Sequence, residues 1–177
     1  MLGGSEIELP TFNDIGTLGG AVLVVQIGTD APIVAVDPLR TPAVREEPPE
    51  HPSPAPFLVA RYNMTVTQVV VWPDSSKAAT VGDKLTLDVG GGTQGCFTLV
   101  VPNAVSLAAE GNYLIAAGVR NAHQLVLFGD DAALAVTNGV IGKGSNPAEL
   151  PAALRNVQGQ RTSDLPSPTI VPSLVKP

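Results

Sequence analysis

Between Leu58 and Trp72 apolar and polar side chains alternate. Leu58, Ala60, Tyr62, Met64, Val66, Val70 and Trp72 fall on one face, and Arg61, Asn63, Thr65 and Thr67 on the other. A period of two sends successive side chains to opposite sides of an extended backbone, so the stretch predicts a long β-strand with one buried face. Gln68 interrupts the apolar face, while Val69 and Val71 make the far end apolar on both sides. Such a strand passes from a half-exposed to a buried setting, and a bulge would bend it on the way. Lys84 to Val89 alternates again, and Cys96 to Val101 predicts a third strand after the glycine-rich GGGTQG.

The rest of the chain attaches to this region. Ala21 to Gly28 (AVLVVQIG) is a β-branched apolar run bounded by glycines, as expected of a strand buried on both faces, and Ile33 to Val36 continues it after a turn. Tyr113 to Ala117, Gln124 to Phe128 and Leu134 to Thr137 follow at short spacing, separated by Gly118, Asn121, Gly129 and Asn138-Gly139. Many short strands with turn signals predict a barrel or a sandwich. One short C-terminal helix is expected within 143–159, near Pro151 to Gln158, with Leu150, Leu154 and Val157 as its apolar stripe.

Glycines and prolines mark the remainder. Residues 1–20 contain Gly3, Gly4, Pro10, Gly16, Gly19 and Gly20 and are predicted to form an irregular N-terminal arm. Seven prolines between Pro38 and Pro56 block both helix and ladder bonding, so 38–56 is expected to be an extended surface loop. Residues 160–177 form a second proline-punctuated arm, but TIVPSLV within it is apolar and needs a surface to lie on. The domain proper is then 21–142.

Composition removes several functions. A chain of 177 residues, 44% hydrophobic and 15% charged, holds one ordinary core and is too apolar to be wholly disordered. A net charge of −6, with no cluster of Lys and Arg, disfavours nucleic acid as a partner. Cys96 is the single cysteine, so neither an internal disulfide nor an all-cysteine zinc site can form. The start MLGGSEIELP lacks the charged and apolar regions of a signal peptide, and the longest apolar run is too short to span a bilayer.

The order AVLVVQIG, PPEHPSP, YNMTVTQVVV, GDKLTLDVGGGTQG, EGNYLIAAG, LVLFG resembles a small all-β domain of exported bacterial proteins of unknown function. More distantly, EGNYLIAAG followed by a hairpin is similar to the OB-like barrel of netrin-type and metalloproteinase-inhibitor modules. The resemblance covers roughly Leu18 to Gly142. It implies an all-β, five-stranded OB-like (Greek-key) barrel and an extracellular or surface setting, and it implies no activity. Inhibition by those modules acts through an N-terminal cysteine, whereas this chain starts MLGG and has only Cys96.

Candidate chemistry is sparse. Gly90-x-Gly92-x-x-Gly95 has the spacing of a dinucleotide fingerprint, but that motif delivers pyrophosphate to a helix N-terminus, and CFTLVV follows instead. Glu46, Glu47, Glu50 and His51 sit in the proline-stiffened loop, His123 at a hairpin turn, and Asp130-Asp131 in a turn. Neither an enzyme nor a cofactor is expected. Two functions remain open. One is a structural or assembly protein, a homo-oligomer or subunit of a larger scaffold, docking through its terminal arms with Ile170, Val171, Leu174 and Val175 as the contact residues. The other is a secreted, monomeric module that binds a peptide, glycan or protein through the barrel face around Tyr62 and the loops at Gly90 to Gly95 and Asn121 to His123.

Overall fold

The alternation that begins at Leu58 becomes one strand of 16 residues, β3 (Leu58–Pro73). The computed structural model describes residues 11–39, 57–101, 105–128, 132–144, 150–166 and 168–174. Leu58, Tyr62, Met64, Val66, Val70 and Trp72 are buried, and Asn63 and Thr67 are exposed, as the period of two requires. Against β1 (Gly20–Ile27) the register slips twice, leaving Val70 and Thr67 without direct partners in that strand. The irregularity expected around Gln68 is therefore present. Gln68 donates to the carbonyl of Thr162 at 2.9 Å, and the Thr67 hydroxyl donates to the carbonyl of Val24 at 3.0 Å.

Five strands close a ring. β1 pairs with β3, β3 with β4 (Lys84–Gly90), β4 with β8 (Gln124–Leu127), β8 with β7 (Asn112–Asn121), and β7 returns to β1. Every pairing in the ring is antiparallel except β4 with β8. This is the Greek-key barrel of the OB-like type expected, and closure removes the open edges that five separate strands would present. Leu23, Met64, Trp72, Leu87, Leu114, Ile115 and Leu125 are fully buried in its core. Each such side chain contributes roughly 1.5–3 kcal/mol. β1 is buried at every position but Gln26, in keeping with its unbroken apolar run.

Smaller elements decorate the ring. β2 (Ile33–Val36) pairs with the start of β3, and β9 (Ala133–Thr137) pairs with β7 before turning through Asn138-Gly139 into β10 (Val140–Ile141). The glycine-rich stretch is a corner: Gly91 and Gly92 take φ of 106° and 148°, and the chain runs on into a hairpin of β5 (Gly92–Gln94) and β6 (Phe97–Leu99). A strand, not a helix, follows the Gly90-x-Gly92-x-x-Gly95 spacing.

Two expectations about the ends change. Within the predicted N-terminal arm, Phe12–Thr17 is a helix, α1, started by a reciprocal cap. The Asp14 N–H donates to the Thr11 hydroxyl at 3.3 Å, and the Thr11 N–H donates to the Asp14 carboxylate at 3.0 Å. α1 is packed, not free: Ile15 is fully buried, and a Cβ on Gly16 would lie 2.8 Å from the Val171 Cβ and 2.9 Å from Val71 Cγ1. Only glycine permits that approach. In the predicted C-terminal arm, Thr169–Val171 forms β11, which pairs in parallel with β3 from Thr169 opposite Val71 to Val171 opposite Pro73. The apolar tail has found its surface on its own barrel. The expected helix near Pro151 is a single turn, α2 (Ala152–Arg155), with Leu154 and Val157 buried as predicted. Residues 1–10 of the first arm and 40–56 of the proline-rich loop lie outside the described residues.

The tail is thus part of the fold. Val171→Ala should lower the unfolding free energy by about 2 kcal/mol, from the two buried methyl groups removed and the space left against α1. Removing residues 169–177 should cost more, because the β11 ladder goes as well. Urea denaturation of both variants checks this, and a truncated protein as stable as the full chain would contradict it.

Candidate functional site

The outer face of β3 and β4 carries a carboxylate that water does not reach. Arg61 and Asp88 are direct cross-strand partners, joined by Nε to Oδ1 at 2.8 Å and Nη2 to Oδ2 at 3.0 Å. The Asp88 side chain is 0% exposed and that of Arg61 35% exposed. Gln124 of β8 adds a third bond, from Nε2 to Asp88 Oδ2 at 2.9 Å. The hydrogen bond to Asp88 raises the Arg61 guanidinium above its ordinary value. Partial burial opposes that rise, and the charges of Asp88 and Asp37 add to it. A second bidentate pair links Arg120 of β7 to buried Asp37, just after β2, at 2.7 Å on both oxygens. Two such pairs fix the connection after β2 against β7 and lock β3, β4 and β8 side by side.

Beside this network lies an open concavity of about 490 Å³. β3 supplies Asn63 and Thr65, β4 supplies Lys84 and Thr86, and the end of β1 with its following loop supplies Gln26, Thr29 and Asp30. Glu110, before β7, and His123, in the turn between β7 and β8, complete the rim. The apolar contributors Ile27, Met64 and Leu85 are buried, 3%, 2% and 4% exposed, so the accessible lining is polar.

The rim loops are held by their backbones. The Glu110 N–H donates to the carbonyl of Ile27 at 3.1 Å, and its own carbonyl accepts from Gln26 Nε2 at 3.4 Å. Glu110 has φ of 62°, a left-handed conformation that costs a non-glycine residue about 1–3 kcal/mol. The His123 N–H donates to Asn121 Oδ1 at 2.9 Å, and its carbonyl accepts the Thr86 N–H at 2.9 Å. Asp30 and Glu110 set two carboxylates against the ammonium of Lys84 on this rim. That balance does not favour a phosphate backbone.

The residues singled out in the sequence are scattered. Tyr62, Met64 and Trp72 are core, and the Trp72 indole donates to the carbonyl of Ser76 at 3.2 Å. Tyr62 turns inward, so the face expected around it presents its neighbours Asn63, exposed, and Thr65, half-buried, instead. Val171 is 7% exposed and packed against α1, whereas Ile170 and Leu174 are 53% and 80% exposed. To dock on a neighbour, Val171 would first have to leave β3. Val175, Glu46, Glu47, Glu50, His51, Asp130 and Asp131 lie outside the described residues. Cys96 is exposed in the turn between β5 and β6. Among the described residues no cluster of His, Cys, Asp and Glu is arranged to hold a metal, and no helix is long and apolar enough to cross a membrane.

The partners of the Arg61–Asp88 pair differ in what each does when left alone. Arg61→Met strands a fully buried carboxylate and should cost about 3 kcal/mol, whereas Asp88→Asn leaves a guanidinium that reaches water and should cost about 1 kcal/mol. Chemical denaturation of the two variants measures the asymmetry, and equal costs would contradict it. No protein-family model, curated protein or solved structure matches the chain.

Proposed function

We propose that the protein is a non-enzymatic binding module that takes a hydroxyl-rich glycan in the concavity on the outer face of β3 and β4. The observation that carries this reading is the accessible lining: amide, hydroxyl and charged side chains around an apolar floor that is already buried. Polyols are recognised by such a set, because each hydroxyl donates to a carboxylate or amide oxygen and accepts from an amide, hydroxyl or ammonium group. The position also supports it. In five-stranded Greek-key barrels the face of the second and third ring strands, with the loops after the first and between the last two, is where oligosaccharides and oligonucleotides bind. Here those strands are β3 and β4, and those loops carry Asp30 and His123. The acidic chain and the two rim carboxylates favour the sugar over the nucleotide.

A peptide ligand has less to hold it at this place. β3 is paired on both sides where it lines the concavity, and β4 is paired with β3 throughout and with β8 from Thr86 onward, so only the two residues Lys84 and Leu85 offer a ladder edge there, too short to hold an extended chain. A glycan ligand also suits the extracellular or surface setting that the sequence resemblance implies.

The test is a glycan array followed by calorimetric titration of the purified protein. Binding of a neutral or amino-sugar polymer is expected. Asn63→Ala should weaken it at least tenfold, with the melting temperature unchanged because Asn63 is exposed. Absence of any glycan ligand, or equal affinity in the variant, would overturn the reading.

A further inference from the structure

Among the described residues, β2 pairs only with β3, and its second edge has no ladder partner. Two hydrogen bonds fix which of its backbone groups look outward. The Asp37 N–H donates to the carbonyl of Phe57 at 2.8 Å, and the Gly91 N–H donates to the carbonyl of Leu58 at 2.8 Å on the opposite side of β3. Leu58 and Ala60 therefore direct their backbone groups towards β4, and Phe57, Val59 and Arg61 direct theirs towards β2. By the register of Val36 with Leu58 and Ile33 with Arg61, Ile33 and Ala35 bond to β3, while Val34 and Val36 turn both N–H and C=O away from it. The edge also carries exposed apolar side chains: Ile33 is 67% exposed, Val36 45% and nearby Leu39 74%.

We infer that this edge pairs with β2 of a second copy of the chain, antiparallel, about a two-fold axis through Ala35. Outward groups at Val34 and Val36 are self-complementary in that register alone: Val34 meets Val36 of the second copy, Val36 meets Val34, and four hydrogen bonds form. Ala35 faces Ala35 of the second copy in the position where antiparallel backbones approach most closely, and the small side chain fits there. The charges agree with like meeting like. β2 has no ionisable side chain, and the adjacent Asp37 is buried and tied to Arg120, so the net charge of −6 is not brought to the contact.

Prolines bracket the window. Pro32 and Pro38 fall on the outward register and have no N–H to give, so the ladder cannot extend past them. The pairing is then a discrete, closed dimer and not a growing sheet. Four hydrogen bonds and a few apolar side chains make a small interface, which points to a dissociation constant in the micromolar to sub-millimolar range.

Sedimentation of the full chain from about 5 to 500 µM should show a monomer–dimer equilibrium. Val34→Pro deletes an outward N–H that the chain's own ladder does not use, so it should weaken the dimer at least tenfold while leaving the melting temperature nearly unchanged. Cross-linking gives a second, independent reading. In a Cys96→Ser background, Ala35→Cys should form an intermolecular disulfide on oxidation, because directly opposed residues at a non-hydrogen-bonded site lie about 4.5 Å apart at Cα, within disulfide reach. Ile33→Cys should not form one. A chain that stays monomeric at 500 µM, as it would if the edge served a foreign peptide, overturns the proposal. So do a dimer unaffected by Val34→Pro and equal cross-linking at positions 33 and 35.

Discussion

A strand of 16 residues inside a small domain sets a strict condition: its backbone groups must find partners on both edges along most of its length. No single neighbour is long enough to do so. On one edge β3 is served first by β2 and then by β1; on the other, first by β4 and then by β11. The ring, the added hairpin strand and the tail are all answers to that one requirement. The bends at Thr67 and Val70 let the same strand serve the barrel wall in its first half and the α1 and β11 layer in its second.

The polar network follows from the same geometry. Arg61 stands where β3 leaves β2 and runs beside β4, and there it meets Asp88. Placing an aspartate on a covered outer face is costly unless a guanidinium reaches it in a fixed arrangement, and the bidentate contact with help from Gln124 supplies that. The neighbouring concavity inherits its shape from this fixed face. Its apolar floor of Ile27, Met64 and Leu85 belongs to strands of the closed ring, and loops add Thr29, Asp30, Glu110 and His123 around it.

How much of this could be read from residues alone varied with distance along the chain. Alternation from Leu58 to Trp72 made the face of β3 legible, and the unbroken apolar run of AVLVVQIG made β1 legible as a strand buried on both sides. The cap that begins α1, TFND, was also present in the sequence, but the glycines at 16, 19 and 20 masked it by reading as breakers. Gly16 is there for close packing. TIV in the tail reads identically whether it adds to its own sheet or to another molecule's, since apolar pattern does not encode which strand is the neighbour. Asp88 with Arg61 and Asp37 with Arg120 are 27 and 83 residues apart, so no local signal joins them. Nor does any local signal bring Asp30, Lys84, Glu110 and His123 to one rim, which only the ring order does.

The parallel seat of β11 has a consequence for the life of the chain before it is folded. β3 leaves the ribosome roughly a hundred residues ahead of the strand that covers its far end. At about 5–20 residues per second, that leaves several seconds in which Val71, Trp72 and the side of α1 around Gly16 lack the cover that β11 gives them. Contacts of such long sequence separation are slow to form and are completed late. The last-made part of the fold is thus the part that closes it, and a nascent chain stalled before Thr169 would carry an uncovered β3 edge available to chaperones and to other nascent chains.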